Sequence, residues 1–195
     1  MRLVLASTSR IRAELLTKAG LVFEAVRPDV DENELKKASK ALSPGALALS
    51  LAAAKAVSVA NRMPDALVLG ADQVLNLEGR AFDKPENPDA ARHQLVDLRG
   101  RRHVLETALC CAHGDKLVWQ HLGQAKLTMR SFSDGFLDEY LHQMGPEVTT
   151  SVGAYKLEGL GAQLFDTIEG DYFTILGLPL LPLLDFLRRQ GALAA

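Results

Sequence analysis

The sequence predicts an α/β protein, and three observations carry that reading. Short apolar runs of strand length, Arg2–Ala6 and Leu67–Leu69 among them, alternate with segments whose apolar residues recur at helical spacing. Cap and turn residues punctuate these segments: Ser9, Gly20, Ser43-Pro44, Glu78-Gly79, Asn87-Pro88, Gly100 and Ser133. No internal repeat, linker or membrane-length apolar run interrupts the 195 residues. One substantial core is therefore expected, as a single domain over 1–195 or as two lobes sharing a cleft.

Taken in order, Arg2–Ala6 reads as a strand and Ser7-Thr8-Ser9 as a turn into a helix, with Ile11, Leu15, Leu16 and Ala19 at helical spacing and Gly20 as the stop. Unpaired N–H groups at such a helix start attract anions. Arg12 in that first turn suits a bound anion; the alternative is that Ser9 merely caps and Arg12 is solvated. Leu21–Val26 reads as a second strand. The acidic run around Asp31 and Glu32 reads as a solvated loop from which one acid could reach a cleft. Ser43-Pro44 opens a helix to about Met63 in which Lys55 is the lone charge, either snorkelling to water or serving a site.

The stretch from Leu67 to Pro85 is the centre of the reading. Leu67, Val68 and Leu69 suit a strand covered on both faces, and Gly70 lets another group approach the backbone. Asp72 is costly at the end of such a strand unless paired, hydrogen-bonded or bound to a cation. Glu78-Gly79 turns the chain, and Asp83-Lys84-Pro85 brings a cation back. Metal-assisted phosphate chemistry and a structural Asp72–Lys84 ion pair both fit.

Beyond it, Asn87-Pro88 opens a helix through Leu98. His103–Ala112 and Leu117–Met129 form a hairpin, and Ser133 caps a helix ending at Met144. Ser151–Gly161 reads as a loop shaped for backbone approach to a ligand. Residues 163–168 and 172–176 read as a second hairpin, and a final helix ends near Arg188-Arg189. A net charge of −2 offers no field for a nucleic-acid backbone. Adjacent Cys110 and Cys111 suggest neither disulfide nor thiolate metal site, and a reducing cytoplasm fits, with no signal peptide or membrane partner. Five scattered histidines read mostly as surface residues. There is no P-loop and no G-x-G-x-x-G.

Leu5-Ala6-Ser7-Thr8-Ser9 with Arg12, Asp31-Glu32, Lys55-Ala56, Gly70-Ala71-Asp72-Gln73-Val74, Lys84-Pro85, Gly153-Ala154-Tyr155 through Gly161, and Gly177-Leu178-Pro179-Leu180 together resemble the Maf family of nucleotide pyrophosphatases. The resemblance implies a mixed, twisted central sheet with flanking helices and two lobes around a nucleotide cleft. It implies hydrolysis of nucleoside triphosphates to the monophosphate and pyrophosphate with a divalent cation, Mg²⁺ or Mn²⁺, in a protein that commonly dimerises. An alternative association of the family is regulation of septum formation with little turnover.

The same resemblance makes Asp72 the general base and metal ligand with Glu32, and places Ser7, Arg12, Lys55 and Lys84 around the phosphates. Ile11 stands where many members carry a second arginine, and Ala54 where they carry glutamate. Ile11, Gln73 and Glu158 fall at positions that separate a branch acting on dTTP and UTP from one acting on 7-methyl-GTP. This chain is more similar to the latter, through Gln73 and Glu158. A carboxylate only accepts hydrogen bonds, so Glu158 suits the N1–H and N2–H₂ edge of guanine; otherwise it pairs with a lysine such as Lys156.

Overall fold

The computed structural model describes residues 2–194, so the two end positions of the expected 1–195 unit lie outside it. Strand β1 (Arg2–Ala6) is buried from Leu3 onward, which places it inside a sheet. It pairs in parallel with a two-residue strand β2 (Glu24–Ala25) on one side and with β3 (Ala66–Leu77) on the other. Strand β5 (Arg102–His113) lies antiparallel to β3 from Leu67 to Asn76, and the long β6 (Lys116–Met129) and short β7 (Phe165–Glu169) follow antiparallel. The sheet is mixed, in the order β2-β1-β3-β5-β6-β7, with β4 (Arg80–Phe82) paired beside β3. Glu78 and Gly79 have φ of 53° and 87°, the positive values that a tight two-residue β3–β4 turn demands.

This topology makes a notch. On the edge of β3 opposite β5, pairing with β1 stops at Gly70 and pairing with β4 begins at Leu75. Residues 71–74 between them have no strand neighbour on that edge, and a cavity opens there.

Helices pack around the notch as two lobes sharing β3 and β5. At the β1 end, α1 (Arg10–Lys18) and α7 (Leu180–Arg189) bury Leu15, Leu16, Leu183 and Phe186 against Leu67 and Leu69. The opposite face takes α3 (Pro44–Ala60), whose Ala48, Ala52, Ala56 and Ala60 meet Val4, Val68 and Ala108. At the other end, α4 (Pro88–Leu98) and α5 (Asp134–Met144) enclose Leu75, Leu105 and Leu127. Cys110 and Cys111 point into different clusters, as alternation along a strand requires. No helix among the described residues is long and apolar enough to cross a membrane.

Four expectations are corrected. The acidic run is a loop only as far as Asp31 and continues as a helix, α2 (Glu32–Ala38), because the Asp31 carboxylate accepts from the Glu34 backbone N–H at 3.0 Å and caps it. Leu21–Val26 contributes only two paired residues, since Leu21 and Phe23 pack into the helical side of the core instead. Residues 172–176 are not the return strand of a hairpin: Asp171 caps a short helix, α6 (Tyr172–Ile175), accepting from the Thr174 N–H at 2.7 Å and its hydroxyl at 2.9 Å. Asp72 lies inside β3 rather than at a strand end.

Candidate active site

Gly70 is the first determinant of the site. A Cβ there would lie 2.2 Å from the Ala52 carbonyl oxygen and 2.7 Å from the Ala56 nitrogen, so only glycine lets the α3 backbone rest on β3. That contact sets Lys55, on the same helix, against Asp72, on the same face of the strand. Lys55 Nζ lies 2.7 Å from Asp72 Oδ1 and 2.9 Å from Glu32 Oε1. Lys55 and Asp72 are each only 8 % exposed, whereas the Glu32 side chain at the start of α2 is 44 % exposed. One ammonium therefore gathers two carboxylates, one buried and one at the cleft mouth.

The structural alternative for Asp72 fails in its expected form, because its partner is Lys55 and not Lys84. Lys84 reaches the same cavity, and among the described residues no carboxylate lies within ion-pair distance of it. Burial holds the Lys84 ammonium below the usual lysine range, and the charges of Arg12 and Lys55 push the same way. Burial raises the Asp72 carboxyl above the usual carboxylate range, against the opposing pull of Lys55 and Arg12.

Arg12 is neither solvated nor a free clamp. Its Nε donates to the Gly177 carbonyl at 2.8 Å, and its Nη1 donates to the Ala71 carbonyl at 2.9 Å and to Ser7 Oγ at 3.4 Å. It thus ties α1 to the open edge of β3 beside Asp72 and to the turn before α7. Burial lowers its affinity for the proton, and the charges of Asp72 and Glu32 oppose that shift. Ser9 does not cap α1 with its side chain; its backbone N–H instead donates to Ser7 Oγ at 3.1 Å. Arg10 is exposed and paired with Glu14 at 2.7 Å.

Ser7, Ile11, Arg12, Glu32, Lys55, Asp72, Gln73, Lys84 and Glu158 all line one cavity of about 1160 Å³. Gln73 points to the opposite face of β3 from Asp72. Its amide nitrogen lies 3.0 and 3.1 Å from the Thr174 and Ile175 carbonyls and 2.8 Å from Thr107 Oγ1. Two carbonyl neighbours demand the NH₂ there, which leaves Oε1 as the acceptor in reserve. Glu158 is exposed and not paired with Lys156, which pairs with Glu147. Gly161 serves the chain's own packing, since a Cβ there would meet the Lys156 carbonyl at 2.4 Å.

Sequence reasoning missed Lys36, which lines the cavity one turn after Glu32 and pairs with Asp83 across its mouth. Asp31-x-x-Glu34 was the signal, since an N-cap acid with Glu three residues on marks a helix start.

Residues 2–190 match the family described as Maf-like protein. The chain belongs to the Maf family. This Maf protein is 49 % identical over 195 residues to a 7-methyl-GTP pyrophosphatase of Rhizobium meliloti (strain 1021), covering 99 % of this chain and 98 % of the relative. It is 51 % identical over 192 residues to a nucleoside triphosphate pyrophosphatase of Paramagnetospirillum magneticum, covering 97 % and 99 %. Among solved structures, a HAM1 protein from Coxiella burnetii aligns with a TM-score of 0.46 at 15 % identity, over 66 % of this chain and 73 % of that one.

Proposed function

We propose that this Maf protein hydrolyses nucleoside triphosphates between the α- and β-phosphates, with Asp72 as general base, and that it prefers 7-methyl-GTP or another modified purine. The class of activity, nucleoside triphosphate pyrophosphatase, is that of relatives matched along the whole chain. The observation that carries the residue roles is the Lys55 bridge, which aims a buried Asp72 into a cavity also lined by Glu32, Arg12 and Lys84.

A water directed at the α-phosphorus gives its proton to the Asp72 carboxylate as the new P–O bond forms. The bond from the α-phosphorus to the bridging oxygen breaks, and pyrophosphate leaves with that electron pair. Lys55 fixes the orientation of Asp72 before substrate arrives, and Lys84, which has no ion pair among the described residues, is free to meet a polyphosphate. Arg12 and Ser7 shape the floor through their bonds to the backbone.

The donor set fits a hard divalent cation. Among the described residues no group of three His, Cys, Asp or Glu side chains forms a cage, yet two carboxylates converge, and Mg²⁺ or Mn²⁺ takes one or two carboxylates and completes its shell with water and phosphate oxygens. Glu32 and Asp72 would hold it, and when bound it would neutralise phosphate charge and acidify the attacking water.

The base preference rests on two acceptors in the cavity, Glu158 and the Oε1 of Gln73, which match the N1–H and N2–H₂ donors of guanine. Methylation at N7 adds positive charge that a carboxylate favours. A panel of nucleoside triphosphates with Mg²⁺ or Mn²⁺ tests the whole reading. Pyrophosphate and the monophosphate are expected, fastest from 7-methyl-GTP and lost in excess chelator. Orthophosphate as product, or binding without turnover as in a division regulator, would overturn the mechanism.

A further inference from the structure

His103 on β5 is 1 % exposed, the exception among histidines expected mostly at the surface. Its Nε2 lies 2.8 Å from the Tyr155 hydroxyl, and its Nδ1 is the one buried side-chain nitrogen or oxygen without a partner among the described residues. With the proton on Nε2, the phenol proton and the Nδ1 lone pair would both go unpaired. With the proton on Nδ1, only that N–H does. The second tautomer wastes less, so Tyr155 donates to Nε2.

Tyr155 walls the cavity and closes a segment under strain. Ala154 has a φ of 59°, a left-handed conformation that a residue with a Cβ adopts only when its surroundings compel it. The compelling bonds are present. Tyr140 Oη donates to the Ala154 carbonyl at 3.0 Å, Ser151 Oγ to the Tyr155 carbonyl at 2.7 Å, and the Gly153 N–H to Gln94 Oε1 at 3.2 Å. Phe165 holds the Tyr155 ring edge-on at 4.8 Å and also flanks His103. Three residues after Tyr155 comes Glu158.

We infer that His103 is a positioning residue for nucleotide recognition: through the Tyr155 hydroxyl it locks the strained 151–155 turn, and so fixes where residues 156–158 meet the base. The inference rests on the proposed nucleotide reading of the cavity. It separates binding from chemistry, since His103 lies on the sheet behind Tyr155 and has no hydrogen bond to Asp72, Lys55 or Arg12 among those described.

Steady-state kinetics on the triphosphate panel test it with Tyr155→Phe, His103→Leu, their double variant and His103→Gln. Loss of the bond raises KM about tenfold with kcat within about twofold, and flattens discrimination between purine and pyrimidine triphosphates. The double variant is no worse than either single one, because both remove one interaction. His103→Gln, which can still accept from the phenol, keeps a KM near wild type. Amide exchange over 152–158 speeds up in Tyr155→Phe and His103→Leu while that of β3 and α3 is unchanged.

Additive effects, a fall in kcat at unchanged KM, or unaltered exchange over 152–158 would overturn the inference. Should the wild type hydrolyse no nucleoside triphosphate, the proposed function fails by itself. The exchange data on Tyr155→Phe, the variant least disruptive to folding, then decide the positioning role.

Discussion

At one end of the cleft, Asp72, Lys55 and Arg12 come from a central strand and two well-packed helices, and each of these three is tied to a named partner. At the other end, residues 151–158 have no regular helix or strand beyond a short 3₁₀ turn, and side-chain hydrogen bonds hold the turn in place. The two ends face opposite problems. The first must keep charges buried and oriented; the second must hold an irregular segment in one shape. Burial acts on both, raising the Asp72 carboxyl against the pull of Lys55 and Arg12, and lowering the His103 imidazole with no charged partner to oppose it.

The largest effect expected from breaking the charged end is that of Asp72→Asn. The amide keeps the volume and can still accept from Lys55, which also retains Glu32 at 2.9 Å, so the protein stays folded. It cannot take the proton from water, and turnover falls by ~10²–10⁴-fold, as for loss of a general base. Near-normal pyrophosphate release by a folded variant would remove Asp72 from the chemistry.

The other end is tested through pH. The His103 imidazole is lowered to about 4, from 6.5 for a solvated histidine. Between those values the unfolded chain binds a proton that the folded chain refuses, so this contribution to stability is complete above pH 6.5 and is lost as pH falls towards 4. The shift corresponds to about 3 kcal/mol. Denaturant unfolding from pH 7 to pH 4 should show wild type losing that much more than His103→Gln. Parallel curves for the two would mean that His103 is not held neutral by the fold.

These contrasts also explain what was legible in the sequence. The charged end could be read because its residues lie in short motifs on elements with strong periodicity: Gly70 announced a close approach, and the partner proved to be α3. The pairing of Asp72 with Lys55 rather than Lys84 was hidden, since it depends on which face of β3 the helix covers. Helix α2 was hidden by its composition, with no buried residue to give a period. His103 was hidden for the opposite reason. Its burial comes from Tyr155 and Phe165, far along the chain, and no local pattern marks it.

The smallest effect sharpens the comparison most, because it changes base choice and leaves the charged end alone. Glu158 is exposed within the cavity wall, so Glu158→Gln disturbs neither packing nor the Lys55 bridge. The amide introduces a donor where only an acceptor stood. Guanine loses a charge-assisted partner, while the O2 and O4 acceptors of thymine or uracil gain a neutral amide donor. A site mismatched in this way discriminates through the groups it leaves unpaired. The ratio of kcat/KM for 7-methyl-GTP to that for dTTP should therefore fall about tenfold, on the scale of one hydrogen bond to a charged group. kcat for each substrate should hold, since Asp72 and Lys55 are untouched. A fall in kcat for all bases alike would place Glu158 in the phosphate machinery, and an unchanged ratio would leave base reading to Gln73 and the shape of the 151–155 turn.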